Sequence, residues 1–104
     1  MSFKIIQAQM ARELLDQDKA TFVDIRDPQS FDASHIRSST RLDNSNLQAF
    51  LAAADKARPT VVCCYHGMSS QSAAQFLAEQ GFSEVYSLDG GFEFWKTCHP
   101  DACE

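Results

Sequence analysis

Long hydrophobic runs are missing from this sequence of 104 residues. No apolar stretch approaches the roughly twenty residues that a membrane-spanning helix needs, so we expect no membrane partner. The amino-terminal segment, MSFKII, turns polar too early for a secretory signal. We therefore expect a cytoplasmic protein, in which thiols stay reduced.

Positive charge is also scarce, with 9 Lys and Arg residues against 14 Asp and Glu residues and a formal net charge of −5. No basic run offsets this excess, so the composition predicts no nucleic-acid partner. The same excess opposes anionic substrates at long range. Any affinity for an anion must therefore come from local hydrogen-bond donors.

Internal repeats, linkers and low-complexity tracts are absent too, which indicates one domain over residues 1–104 with a single core. Periodicity predicts strands at 4–6, 21–25, 40–42, 61–63 and 85–88, and helices at 7–17, 27–34, 47–54, 69–80 and 92–97. This alternation predicts an α/β fold, with a central, mostly parallel sheet of about five strands and helices on both faces. The tail that ends at Glu104 is predicted to be loosely held.

The stretch from Thr60 to Gly81 carries the clearest chemical signal. It reads as a buried strand, a polar loop that begins with Cys64, and a helix that ends at Gly81 in a Schellman motif. The loop cysteine thus lies at the amino end of a helix, where free N–H groups and the helix dipole favour a thiolate and bind anions. Gly67 allows successive amides to face inward as a nest.

Other residues near this loop allow more than one interpretation. Ligands of such sheets bind beyond the carboxyl ends of the strands, where Asp24, Cys64 and Asp89 are predicted to converge. Cys64 could instead be an ordinary small buried residue. Cys63, whose side chain faces the other way, is predicted to be inert core.

Four motifs resemble those of the rhodanese family. They are Val23-Asp24-Ile25-Arg26, Ser34-His35-Ile36, Cys64-Tyr65-His66-Gly67-Met68-Ser69-Ser70 and Leu88-Asp89-Gly90-Gly91-Phe92-Glu93-Phe94-Trp95. They occur in order and at the family's spacing, within a motif-bearing region of about 15–98. The cysteine loop and the stretch Asp27 to Phe31 are most similar to single-domain bacterial members of the family.

The resemblance implies a sulfur-transfer reaction. Cys64 would take the outer sulfur of thiosulfate, release sulfite and hold a persulfide, and the sulfur would then pass to cyanide or to a thiol acceptor such as a thioredoxin-like dithiol. The residues implied to bind substrate are Tyr65, His66, Gly67, Met68, Ser69 and Ser70. This chemistry requires no metal and no organic cofactor.

Asp24 and Arg26 are interpreted as structural support for this site. Asp24 either accepts hydrogen bonds from the loop, pairs with a cation, or is an ordinary strand-end acid. The family's glycines around the Ser34-His35-Ile36 motif are replaced here by Ser34 and Ser38, and the acid that often pairs with the motif arginine is replaced by Ser30. The sequence therefore leaves the partner of Arg26 open.

Two other functions fit parts of the pattern. A Cdc25-like phosphatase or an arsenate reductase of related fold needs an arginine six residues after the cysteine, where this chain has Ser70. A sulfur carrier or interaction module without its own turnover would also retain Cys64. Steady-state turnover with thiosulfate and cyanide separates an enzyme from such a carrier.

The carboxyl-terminal cysteines form a further pattern. Cys98, His99 and Cys103 are too few for a strong zinc motif, so we predict no metal site. Cys98 and Cys103 are instead interpreted as free thiols or as a tail disulfide, and either could in principle resolve a persulfide on Cys64.

Overall fold

Strands and helices alternate along residues 2–104, the part of the chain that the computed structural model describes. The elements are β1 (Lys4–Ile6), α1 (Ala8–Asp16), β2 (Thr21–Asp24), α2 (Pro28–Ala33), β3 (Thr40–Arg41), α3 (Leu47–Ala53), β4 (Thr60–Cys63), α4 (Ser69–Glu79), β5 (Val85–Leu88), α5 (Gly91–Cys98) and a 3₁₀ turn (Pro100–Ala102). All strand pairs are parallel, in the order β1-β5-β4-β2-β3. The predicted α/β fold with a five-stranded sheet is confirmed.

The central strand β4 is buried on both faces, which explains its continuous apolar run. Val61 and Cys63 pack with α1 and α5 on one face. Val62 packs with α3 and α4 on the other. This alternation follows from the pleat of a strand, which turns successive side chains to opposite faces.

Helix α4 begins at Ser69, within the predicted limits. At its carboxyl end Gly81 has φ of 101°. The Gly81 N–H donates to the Ala78 carbonyl at 3.2 Å, and the Phe82 N–H donates to the Leu77 carbonyl at 3.3 Å. These two bonds define the predicted Schellman motif.

The carboxyl-terminal tail differs from the prediction, because it is bound to the segment after α2. The backbone N–H groups of His35 and Glu104 each donate to the other residue's carbonyl, at 2.9 and 2.8 Å, and Arg37 donates to the Ala102 carbonyl at 2.8 Å. Ala102 is fully buried. The prediction failed because this pairing joins distant parts of the chain and leaves no periodic signal within the tail.

Among the described helices, none combines the length and the apolar character that crossing a bilayer requires.

Candidate active site

Cys64 lies directly after β4, and its sulfur is surrounded by hydrogen-bond donors of the loop and of α4. The N–H of Gly67 donates to Cys64 Sγ at 3.1 Å, and the N–H of Ser70 donates at 3.3 Å. The Ser70 Oγ lies 3.2 Å from the same sulfur. The residue is only 3% exposed, so these bonds act in a largely water-free environment.

The same donors shift the acidity of the thiol. Burial raises the pKa of Cys64, but hydrogen bonds from the Ser70 side chain and from the N–H groups of Ser70, Gly67 and His66 outweigh burial and bring the pKa below its usual value. The predicted interpretation of Cys64 as the activated thiol therefore has support in the geometry.

Cys63 shows the opposite behaviour. Burial, and then the charge of Asp24, raise the pKa of its thiol well above the usual value. Its side chain packs in the core cluster formed with α1 and α5. Cys63 therefore stays a neutral thiol on the far side of the sheet.

The loop amides are free to face the sulfur because the loop carbonyls are bound elsewhere. The carbonyl of Cys64 accepts from the Phe92 N–H at 2.8 Å, and that of Tyr65 accepts from the Glu93 N–H at 3.1 Å. Both donors belong to the first turn of α5, where the backbone N–H groups have no acceptor within the helix and need one elsewhere. The amino end of α5 thus holds the outer side of the loop.

Two close backbone approaches make this arrangement possible. A Cβ atom at Gly91 would lie 2.5 Å from the carbonyl of Tyr65, and one at Gly67 would lie 3.0 Å from the Gly90 nitrogen. The sequence places Gly90 and Gly91 in a turn of the fourth motif but predicts no contact between them and the cysteine loop. Their position directly after a strand exit was the available signal that this turn would meet the cysteine loop.

A buried ion pair supports the neighbouring strand end. Arg26 Nη2 lies 2.8 Å from Asp24 Oδ2, with side chains 3% and 0% exposed. The guanidinium also donates to the Ser34 carbonyl at 2.8 Å and lies 4.2 Å from the centre of the Phe92 ring. Burial lowers the pKa of Arg26, but Asp24 outweighs it, so the pKa is raised.

These contacts identify the partners of Arg26 that the sequence left open. Asp24 pairs with a cation, which was one of the alternatives considered for it. The carboxylate of Asp89, in contrast, accepts a hydrogen bond from Gln7 Nε2 at 3.0 Å. Among the described contacts, neither carboxylate bonds to Cys64 Sγ.

The remaining loop residues form the outer part of the site. Tyr65, His66, Met68 and Ser69 are exposed, Met68 to 75%. The Tyr65 hydroxyl donates to the carboxylate of Asp27, the residue that caps α2. The N–H groups of Met68 and Ser69 have no acceptor among residues 2–104, so they are open to a ligand.

Ser70 occupies the place where a phosphatase of related fold would need an arginine. It is fully buried, and its Oγ lies 2.7 Å from Ser87 Oγ as well as close to the cysteine sulfur. A short buried hydroxyl cannot supply the planar cation that binds a phosphoryl dianion. Sequence reasoning did not identify Ser87, since a serine inside a strand carries no motif.

The other cysteines are free thiols. Cys98 is exposed, and Cys103 is partly buried with its Sγ 3.6 Å from the His99 carbonyl. Burial raises the pKa of Cys103. No group of three or more His, Cys, Asp or Glu side chains suited to a metal ion occurs in the described part of the chain.

Comparisons with known proteins agree with this geometry. A family model described as "Rhodanese-like domain" matches residues 7–98. The chain is 58% identical over 98 residues to the thiosulfate sulfurtransferase GlpE of Ectopseudomonas mendocina, covering 94% of this chain and 89% of the relative. It is 53% identical over 98 residues to the GlpE of Pseudomonas syringae pv. syringae, covering 94% and 92%.

A solved structure extends the similarity to the fold. The rhodanese-related protein from Thermoplasma volcanium superposes with a TM-score of 0.77 at 25% sequence identity, covering 91% of this chain and 92% of that one.

Proposed function

The chain belongs to the rhodanese family, and on this basis we propose that it is an enzyme, a thiosulfate sulfurtransferase, with Cys64 as its nucleophile. The observation that carries the assignment of Cys64 is the cluster of donors around its sulfur, two of them backbone N–H groups at 3.1 and 3.3 Å. These bonds stabilise the thiolate, which is the reactive form of cysteine.

The reaction proceeds in two displacements. The Cys64 thiolate attacks the outer sulfur of thiosulfate, a new S–S bond forms, and the old S–S bond breaks with its electron pair leaving on sulfite. The enzyme then holds a persulfide anion on Cys64. A thiophilic acceptor attacks the terminal sulfur of that persulfide and regenerates the Cys64 thiolate, which is ping-pong catalysis.

The loop residues bind the anions of both steps in this proposal. The open N–H groups of Met68 and Ser69 are suited to the sulfonate oxygens, and those of Gly67 and Ser70 to the cysteine sulfur. Tyr65 and His66 form the exposed entrance. Preorganised amides of this kind stabilise developing negative charge without reorganisation, which compensates for the net charge of −5.

The acceptor is cyanide, which yields thiocyanate, or a thiol. We propose a dithiol protein of the thioredoxin kind, whose first thiolate takes the terminal sulfur and becomes a persulfide. The second thiol then loses its proton and attacks the inner sulfur of that persulfide, a disulfide forms, and the terminal sulfur leaves with the electron pair of the broken S–S bond and takes up the proton as hydrosulfide. The exposed side chains of Tyr65 and Met68 support a protein partner at the entrance, and the need for reduced thiols supports a cytoplasmic location.

The test compares Cys64→Ser with the matched control Cys63→Ser. We expect Cys64→Ser to abolish thiosulfate:cyanide turnover and Cys63→Ser to retain most of it. The reason is that the backbone N–H donors surround the sulfur of Cys64 and not that of Cys63. Intact-protein mass spectrometry after thiosulfate treatment should show one added sulfur atom, located on the peptide that contains Cys64.

Other results would overturn the proposal in distinct ways. Added sulfur on Cys98 or Cys103 would reject the site. If Cys64 accepts one sulfur atom but neither cyanide nor reduced thioredoxin supports steady-state turnover, the chain is a carrier module and not an enzyme. Hydrolysis of an aryl phosphate with no sulfur transfer would restore the phosphatase alternative.

A further inference from the structure

We propose that Ser87 is a positioning residue that holds the Ser70 hydroxyl with its proton directed at Cys64 Sγ, a role that rests on the sulfur-transfer function proposed above. Ser87 does not touch the sulfur in this scheme. It acts through Ser70, whose Oγ lies 2.7 Å from Ser87 Oγ and 3.2 Å from Cys64 Sγ.

Ser87 places a polar hydroxyl in the interior of the sheet. It lies in β5, between β1 and β4, and is fully buried. Its register partner is Val62, whose side chain packs against α4, so Ser87 faces the same helix. Burying a hydroxyl costs free energy unless it is hydrogen-bonded, and the described contacts of the Ser87 hydroxyl consist of the bond to Ser70.

A count of protons gives this bond its direction. A thiolate only accepts hydrogen bonds, and the Ser70 hydroxyl has a single proton to donate. When that proton is directed at Cys64 Sγ, the 2.7 Å contact requires Ser87 to be the donor. In this thiolate state the Ser87 proton occupies the side of Ser70 Oγ that faces Ser87, so the Ser70 proton stays directed at the sulfur.

The same two hydroxyls also fit the neutral thiol. The Cys64 S–H then donates to Ser70 Oγ, and the Ser70 proton turns to Ser87 Oγ. Loss of the thiol proton to solvent or to a base reverses both bonds. Since a bond donated to Ser70 polarises the bond that Ser70 donates, Ser87 favours the thiolate.

The experiment measures the thiol directly, without thiosulfate. Alkylation of Cys64 by iodoacetamide is followed against pH by mass spectrometry in wild type, Ser87→Ala, Ser70→Ala and the double variant. We expect Ser87→Ala to shift the profile to higher pH, with alkylation about threefold slower at a fixed pH below the thiol pKa, the size expected for one hydrogen bond. The plateau rate at high pH should not fall.

The double variant separates a positioning role from a merely structural one. Because Ser87 acts through Ser70, Ser87→Ala should cause no further shift in the Ser70→Ala background. Thr60→Val is the matched control, since Thr60 is also fully buried in the sheet but its hydroxyl bonds to the Arg58 carbonyl at 3.2 Å. Its profile should match that of wild type.

Two results for Ser87→Ala itself would overturn the proposal: an unchanged profile, or an equal shift with and without Ser70. A shift in Thr60→Val as large as that in Ser87→Ala would also do so, since it would reveal a general loss of packing. Absence of sulfur transfer in the wild type would reject the function, and the alkylation profiles would still decide the role of Ser87.

Discussion

At the scale of single residues, two adjacent cysteines show how local geometry separates their chemistry. Cys63 ends β4 and faces the core cluster formed with α1 and α5, where burial raises the pKa of its thiol. Cys64 begins the loop, where donors lower the pKa. As pH rises, the thiolate of Cys64 therefore forms first, and at neutral pH Cys63 remains protonated and inert.

The buried pair of Asp24 and Arg26 gives a prediction at this scale. Arg26→Ala leaves the Asp24 carboxylate uncompensated in a site from which water is excluded, so we expect the free energy of unfolding to fall by about 3–5 kcal/mol. Urea denaturation measures this change. The control is Arg37→Ala, whose partner Asp16 is half exposed, and it should change stability little. Equal effects of the two variants would contradict the structural role of Arg26.

At the scale of secondary structure elements, the site depends on the contact between the loop and the amino end of α5. Strand β4 places the cysteine, α4 supplies donors to its sulfur, and α5 binds the loop carbonyls. Because parallel strands end at the same edge of the sheet, the segments after β4 and β5 meet there. The site is therefore built by three elements, although the cysteine loop itself lies in one stretch of sequence.

Gly91→Ala tests this contact. Its new Cβ would lie 2.5 Å from the Tyr65 backbone, so the loop must move. We expect kcat/KM for thiosulfate to fall about a hundredfold, as a displacement of about 1 Å of reacting groups can do. The assay is thiosulfate:cyanide turnover.

The control for this variant is Gly81→Ala, where φ is also positive but the new Cβ would make only an ordinary contact, with Lys56 Cδ at 3.8 Å. It should lower the free energy of unfolding by about 1 kcal/mol through backbone strain and leave kcat/KM unchanged. Full activity in Gly91→Ala would contradict the role assigned to α5.

At the scale of the whole molecule, the carboxyl-terminal tail is paired with the segment that follows α2. It pairs with residues 35–37, and the preceding Ser34 carbonyl accepts a hydrogen bond from Arg26. The tail is also tied to α1, since Arg12 pairs with Asp101 at 2.9 Å. The two ends of the chain thus support the segment that holds the buried arginine.

Ala102→Asp tests the contribution of the tail. Ala102 is fully buried, so a carboxylate there would be desolvated without a partner, and we expect the free energy of unfolding to fall by about 3 kcal/mol. Thermal and urea denaturation measure the change. Asp101→Ala removes only an exposed ion pair with Arg12, so it should have little effect; a similarly small effect of Ala102→Asp would show that the tail is only loosely attached.

The sequence by itself determined the fold class and the position of Cys64. Short apolar runs alternating with amphipathic segments require a covered parallel sheet, and a cysteine between β4 and α4 necessarily meets a helix amino end. These features are local, because they depend on periodicity and on order along the chain. For the same reason the Schellman motif at Gly81 could be predicted.

Only the tertiary structure decided which groups complete the site. The partners of Arg26, the bond between Ser70 and Ser87, the binding of the loop by α5 and the docking of the tail join residues that local periodicity does not relate. Ser87 is a polar residue in a strand with no motif of its own, and its role follows from the register that places it beside Val62, facing α4. Chain order fixes which elements form, whereas their packing fixes which side chains meet.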